Sequence, residues 1–132
     1  MYIFYDIRQV EFPALEDGQL YIYVILNDPQ GNIKVGRTSN IRQRLTSLSG
    51  SNGGGNKIRK IAVSEPTYLY TLEGIIHNHL RDYRVPDTEW FVGEDLHFDD
   101  VVAYVDSLFD SKEYVLCNRV RKEFTMKQRE KS

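Results

Sequence analysis

The sequence predicts one α+β domain with a basic tail, and three patterns carry that prediction. Residues 20–26 alternate with a period of two: Leu20, Ile22, Val24 and Leu26 share one face and Tyr21, Tyr23 and Ile25 the other, as a strand with two usable faces requires. Ile41, Leu45 and Leu48, and later Leu69, Leu72, Ile76 and Leu80, recur at helical spacing. The 132 residues are 41% hydrophobic and 27% charged, which is ordinary for a folded chain and enough for one core but not two.

Taken in order, residues 1–19 are expected to form an N-terminal extension packed on the domain, residues 20–110 the domain with its closing helix, and residues 111–132 a basic helix or tail. Asn27, Asp28, Pro29, Gln30, Gly31 and Asn32 are turn formers, so the chain should reverse into a second strand at Ile33, Lys34 and Val35. Gly36 ends that strand, and Thr38, Ser39 and Asn40 offer N-caps for the helix carrying Ile41, Leu45 and Leu48. The run SGSNGGGN, residues 49–56, reads either as a flexible loop whose amides follow a phosphate backbone or as a tolerated surface insertion. Residues 57–63, KIRKIAV, alternate basic and apolar side chains and predict a third strand, taken as an edge strand with its cations outward.

Ser64, Glu65, Pro66 and Thr67 read as the start of a second helix running to about Asp82. Residues 83–91 form an irregular segment in which Trp90 and Phe91 are expected to plug the core. Phe98, Val101, Val102, Val105, Leu108 and Phe109 define a closing amphipathic helix, and residues 117–131 a further helix or a frayed tail.

Charge is distributed in blocks. Net charge is −2, too small for a protein that coats a polyanion by bulk attraction, yet residues 29–64 hold seven Lys and Arg and no acid. Residues 65–116 hold twelve acids against three bases, and residues 117–132 are basic again. A charged block is more often a solvated face than a binding site, but the first basic block coincides with turn and loop chemistry, which favours an anionic ligand. No stretch approaches the ~18 apolar residues of a membrane span, and the N-terminus lacks the pattern of a signal peptide, so a cytoplasmic protein is expected. The lone Cys117 has no second thiol for a disulfide or zinc site and is expected to be buried or half-buried.

Several side chains stand out as chemistry. The hairpin should bring Tyr23 and Lys34 within a rung or two of each other, with Arg44 on the border of the first helix reaching back toward them and Arg42 facing solvent. Glu73 interrupts the apolar stripe of the second helix, where a carboxylate must be paired, protonated or metal-bound, and His77 lies four residues on, at a spacing that can share a metal. Arg37, Thr38 and Arg42, with Lys57, Arg59 and Lys60, form the expected substrate-facing set.

YIY, then KVGRTSNIRQRL, then LEGIIH followed by EWF resembles the GIY-YIG nuclease family, and in particular its variant branch with a K-[IV]-G-R-T second motif found in phages and large DNA viruses. The resemblance covers roughly residues 20–91 and implies a three-stranded antiparallel sheet flanked by helices. It implies a DNA endonuclease using one divalent cation, Mg²⁺ or Mn²⁺. Carried onto this chain, Tyr23 and Lys34 match the two motif positions, Arg44 the phosphate-binding arginine and Glu73 the metal ligand, with Tyr23 helping to accept a water proton under the influence of Lys34 or the metal. Two other readings stay open: a nuclease-derived nucleic-acid-binding module without catalysis, and a protein-interaction factor, such as an inhibitor of a host enzyme, working through the acidic half. DNA is the expected partner, with a homodimer or a protein partner as further options, and no membrane.

Overall fold

Ladder hydrogen bonds around one central strand organise the molecule. The structure, a computed structural model, describes residues 1–6, 10–28, 31–51 and 57–131. Strand β2 (Tyr21–Asp28) runs antiparallel to β3 (Ile33–Thr38) on one side and to β4 (Lys57–Val63) on the other. β1 (Tyr2–Phe4) pairs with the far side of β4 and β5 (Trp90–Phe91) with the far side of β3, so among the described residues the sheet has five antiparallel strands in the order β1-β4-β2-β3-β5. The α+β class holds, and the expected three strands are the middle of a five-stranded sheet. KIRKIAV is an interior strand, because Tyr2, Ile3 and Phe4 pair with Val63, Ala62 and Ile61.

Among the described residues the sheet is joined by four α-helices, α1 (Ile41–Ser51), α2 (Leu72–His79), α3 (Phe98–Phe109) and α4 (Lys112–Lys131), and by a 3₁₀ turn at Arg81–Tyr83. Asn40 caps α1 as expected, its side-chain oxygen accepting the Gln43 N–H at 3.1 Å. α1 continues to Ser51, so the first residues of the expected loop are helical, while residues 52–56 lie outside the described residues. In the hairpin turn, Gly31 takes a φ of +69°, the left-handed value that its lack of a side chain permits.

α2 starts later than Thr67. The Thr67 backbone is committed to Leu20, each N–H donating to the other's carbonyl at 2.9 Å, and the Tyr68 N–H donates to the Asn118 side chain at 2.8 Å. A segment whose amides already have long-range partners has no need of a helix to satisfy them.

Both sheet faces are covered. On one, Ile22, Val24, Ile33, Val35 and Ala62 pack against Leu72 and Ile76 of α2 and Val101, Val105 and Phe109 of α3. On the other, Tyr21, Tyr23, Ile25, Ile61 and Val63 pack against Ile41 and Leu45 of α1, with Phe4 and the N-terminal Val10, Phe12 and Leu15 closing the layer. Residues Tyr21 to Ile25 are at most 3% exposed, so the tyrosine face of β2 is as much core as its partner. Phe91 is buried as expected, but Trp90 is only half-buried. Cys117 lies on the exposed surface of α4 rather than in the core. Among the described residues no helix is long and apolar enough to cross a membrane.

Candidate functional site at the outer edge of β3

β5 covers little of its neighbour. It pairs with β3 at Ile33 and Lys34, and among the described residues no strand pairs with the outer edge of β3 beyond that point. His77 stands where β5 stops: its Nε2 lies 2.7 Å from the Val35 carbonyl oxygen and its ring 5.1 Å from that of Phe91. A carbonyl oxygen can only accept, so Nε2 carries the proton and donates it. The histidine thereby satisfies a backbone acceptor that a longer β5 would have taken.

Tyr23 reaches the same edge from the other face. It sits opposite Gly36 in the β2–β3 register, and a Cβ at Gly36 would lie 2.3 Å from the tyrosine hydroxyl and 2.4 Å from Cζ. The phenol therefore crosses β3 through the gap that the glycine leaves. Burial pushes its pKa up to about 12; Arg44 pulls it down, whereas Glu89 and Glu73 push it further up. Lys34 does not supply the expected lowering. It sits opposite Ile25, and its ammonium is 3.1 Å from a Glu89 carboxylate oxygen and 5.5 Å from the centre of the Trp90 ring.

Glu73 approaches from the α2 face, in the first turn of that helix, with its side chain 20% exposed. Its carboxylate is 3.7 Å from Arg37 Nε and 4.0 Å from His77 Nε2. Strand alternation explains the arrangement: Lys34 and Gly36 point to the α1 face, Val35 and Arg37 to the α2 face. Tyr23, Lys34 and Arg44 thus belong to one side of the sheet and Glu73, Arg37 and His77 to the other, and they meet around the uncovered edge rather than on a face.

The donor set suits a hard cation held by few protein ligands. Among the described residues no three His, Cys, Asp or Glu side chains gather as a cage. Mg²⁺ is commonly held by one or two carboxylates, with water and phosphate oxygens filling the remaining positions, and Glu73 fits that pattern. His77 has already committed the nitrogen nearer to Glu73, which leaves Nδ1 as its remaining lone pair.

Other residues of the expected substrate-facing set lie elsewhere. Thr38 Oγ1 accepts the Asn40 N–H at 3.0 Å and so shapes the entry to α1. Arg42 donates to the Val10 carbonyl at 2.6 Å, fastening the N-terminal extension to α1. Lys60 pairs with Leu26 on the α3 face, its ammonium 5.8 Å from the Phe98 ring, and is remote from Tyr23. Arg59 is exposed on β4, and the side chain of Lys57 lies outside the described residues. Among the described side chains of this set, Arg37 is the one placed beside Glu73, and it also donates to the Tyr70 carbonyl at 3.0 Å. Two neighbours were not anticipated as site residues, Glu89 and Tyr70. Glu89 carries a signal in retrospect, a carboxylate directly before the Trp-Phe pair that forms β5.

No curated protein and no solved structure matches the chain. The T5orf172 domain family matches residues 20–109, which take in the sheet from β2 onward, the edge site and α3. By that match, which spans more than half its length, the chain belongs to the T5orf172 domain family, a phage-associated domain related to nuclease-type folds.

Proposed function

We propose that the β3 edge hydrolyses DNA phosphodiester bonds with one divalent cation, Mg²⁺ or Mn²⁺, held by Glu73. The observation that carries this reading is the passage of Tyr23 over Gly36, which brings a phenol into the field of an arginine from one face and a carboxylate from the other. The family's relation to nuclease-type folds supports the same reading, as does the KVGRT motif with its following arginine.

Phosphodiester hydrolysis needs an oriented water, a sink for its proton and positive charge against the phosphoryl oxygens. Arg44 and Arg37 supply guanidinium groups on the two sides of the edge, suited to gripping non-bridging oxygens. Glu73 would hold the cation, which would supply Lewis acidity against the charge that develops on the phosphate. Tyr23, with a pKa of about 12, is a neutral phenol near pH 7 and orients the attacking water through its hydroxyl. The charge of Glu73 is one of the influences that hold the phenol's proton. A cation on Glu73 would cancel that influence, while burial and Glu89 still raise the pKa and Arg44 lowers it; Tyr23 would take the water's proton only as the phenolate, after releasing its own proton to solvent. His77 acts as a positioning residue, fixing β3 beneath Glu73.

A second reading, binding without cleavage, is favoured by the same tyrosine, which holds its proton far above neutral pH, and by Lys34, which is tied to Glu89. Incubation of supercoiled plasmid with the protein and Mg²⁺ or Mn²⁺ separates the two. Nicking that disappears in Glu73→Ala and in Arg44→Ala is the expected result. Nicking equal to wild type in both variants refutes the assigned site, and binding without nicking under either metal establishes the second reading.

A further inference from the structure

α4 is clamped to the domain on one side. The Tyr114 hydroxyl donates to Thr67 Oγ1 at 2.9 Å, and Asn118 accepts from the Tyr68 N–H at 2.8 Å. Further along the helix, Thr125 packs so closely on Gly18 that a Cβ there would lie 2.8 Å from its methyl group. This anchoring sets Arg121 over Tyr70, its guanidinium carbon 4.9 Å from the ring centre, while Arg37 approaches the same ring at 5.5 Å. Arg121 also lies 5.1 Å from the ring of Phe124. The result is a ladder of alternating cation and ring, Arg37, Tyr70, Arg121 and Phe124, whose first rung touches Glu73.

Packing alone does not account for the ladder. Tyr70 and Phe124 are 44% and 49% exposed, so their rings face water. Two like charges approach one tyrosine; Arg37 is paired with Glu73, whereas among the described residues Arg121 makes no ion pair. A guanidinium over a ring uses its face and leaves its in-plane N–H donors available, as for Arg121, while Arg37 has given one donor to the Tyr70 carbonyl, holds Nε against Glu73 and keeps the rest. Exposed rings alternating with donor-rich cations are the elements by which proteins hold unpaired nucleic acid: rings stack bases and cations meet phosphates. Steps of 5.5, 4.9 and 5.1 Å cover a few nucleotides at the ~3.4 Å rise of a stacked strand.

We propose that Arg37, Tyr70, Arg121 and Phe124 form a track for an unpaired DNA strand, leading from the β3 edge onto α4. The track deepens the nuclease reading and rests on it for the strand's destination, the phosphodiester beside Glu73. It assigns α4, which lies outside the family match, the work of holding substrate beyond the cleavage position.

The test is fluorescence anisotropy of the full chain in EDTA with three labelled probes of equal length: oligothymidylate, an abasic strand and a duplex. Arg121→Gln and Tyr70→Leu are each expected to weaken oligothymidylate binding by about tenfold, within the range for one stacked base. On the abasic strand Tyr70→Leu and Phe124→Ser should have no effect while Arg121→Gln still weakens binding, and on the duplex Tyr70→Leu should lose less than on the single strand. Lys122→Gln removes the same charge from an exposed position of α4 outside the ladder and should lose clearly less than Arg121→Gln. If Arg121→Gln lowers the melting temperature, Arg121→Lys and Phe124→Ser carry the test, since the first keeps the charge and the second alters an exposed side chain. The track is overturned by a wild-type protein that binds none of the probes, by unchanged binding in the Arg121 and Tyr70 variants, or by equal losses in Arg121→Gln and Lys122→Gln. These results stand whether or not the protein nicks plasmid, so a failed nuclease reading and a failed track are told apart.

Discussion

Gly36→Ala probes the centre of the structural argument. The added methyl would stand 2.3 Å from the Tyr23 hydroxyl, 2.4 Å from Cζ and 2.9 Å from a ring carbon, against an ordinary contact of 3.4–4 Å, so the ring must retreat by about 1 Å. Tyr23 is 1% exposed and packed in the layer formed with Ile41, Leu45 and Val63, so retreat pushes on close-packed neighbours. Overpacking of that kind costs roughly 1–3 kcal/mol. Gly36 carries no positive φ, so without the tyrosine the same substitution should be neutral or stabilise by ~0.4–1 kcal/mol through the unfolded chain.

Urea unfolding of wild type, Gly36→Ala, Tyr23→Leu and the double variant therefore closes a cycle with an expected coupling of about 1.5–3 kcal/mol. Additivity within ~0.5 kcal/mol would show that the tyrosine does not lie across the glycine, and would refute the reasoning about how it reaches the edge. Plasmid nicking by Gly36→Ala should fall by about 10²-fold, the usual consequence of a 1 Å misplacement of a reacting group.

Three further outcomes are expected. Tyr23 keeps its proton to about 12 in the fold but releases it near 10 when unfolded, so its contribution is complete below pH 10 and is lost as pH rises through 12; stability should fall over that window by about 3 kcal/mol more in wild type than in Tyr23→Phe. Equal alkaline losses in the two proteins would refute the buried phenol. His77→Ala leaves the Val35 carbonyl without its donor and should lower stability by about 1–3 kcal/mol in urea unfolding; a change below ~0.5 kcal/mol would mean that the edge needs no cap there. The exposed thiol of Cys117 should react fully with a disulfide reagent in the native protein, and protection until unfolding would contradict the placement of α4.

The middle of the fold was legible because each element there has a local signature. Period-two alternation marked β2, turn formers marked the hairpin, and Asn40 ahead of Ile41, Leu45 and Leu48 marked α1. What was not legible depends on partners distant in sequence. A three-residue strand such as β1 has too short a pattern to be read, and its role as the neighbour of β4 is set by pairing across some sixty residues. The start of α2 was misplaced because Thr67 is held by Leu20 and Asn118, one before and one well after it. In the candidate site, Tyr23, Arg44 and Glu73 stand out in the sequence as unusual residue types in telling positions. Lys34 was visible too, but not its engagement with Glu89, which required knowing that β5 lies beside β3.

The edge position of the candidate site also explains its composition. An uncovered strand edge invites pairing with another chain, and charged side chains beside it are a common protection. Here β5 stops after two residues, and the charged groups at its end and along the rest of β3 are the Lys34–Glu89 pair, Arg37 and Glu73, together with the capping His77. A longer β5 would satisfy the Val35 carbonyl without a histidine, but it would run along the edge toward Gly36 and Arg37, where the buried Tyr23 phenol lies across the glycine and Glu73 approaches. The short strand therefore leaves this stretch of β3 to side chains from both faces of the sheet, and under the proposed function the charges that protect the edge are also those that receive the phosphate.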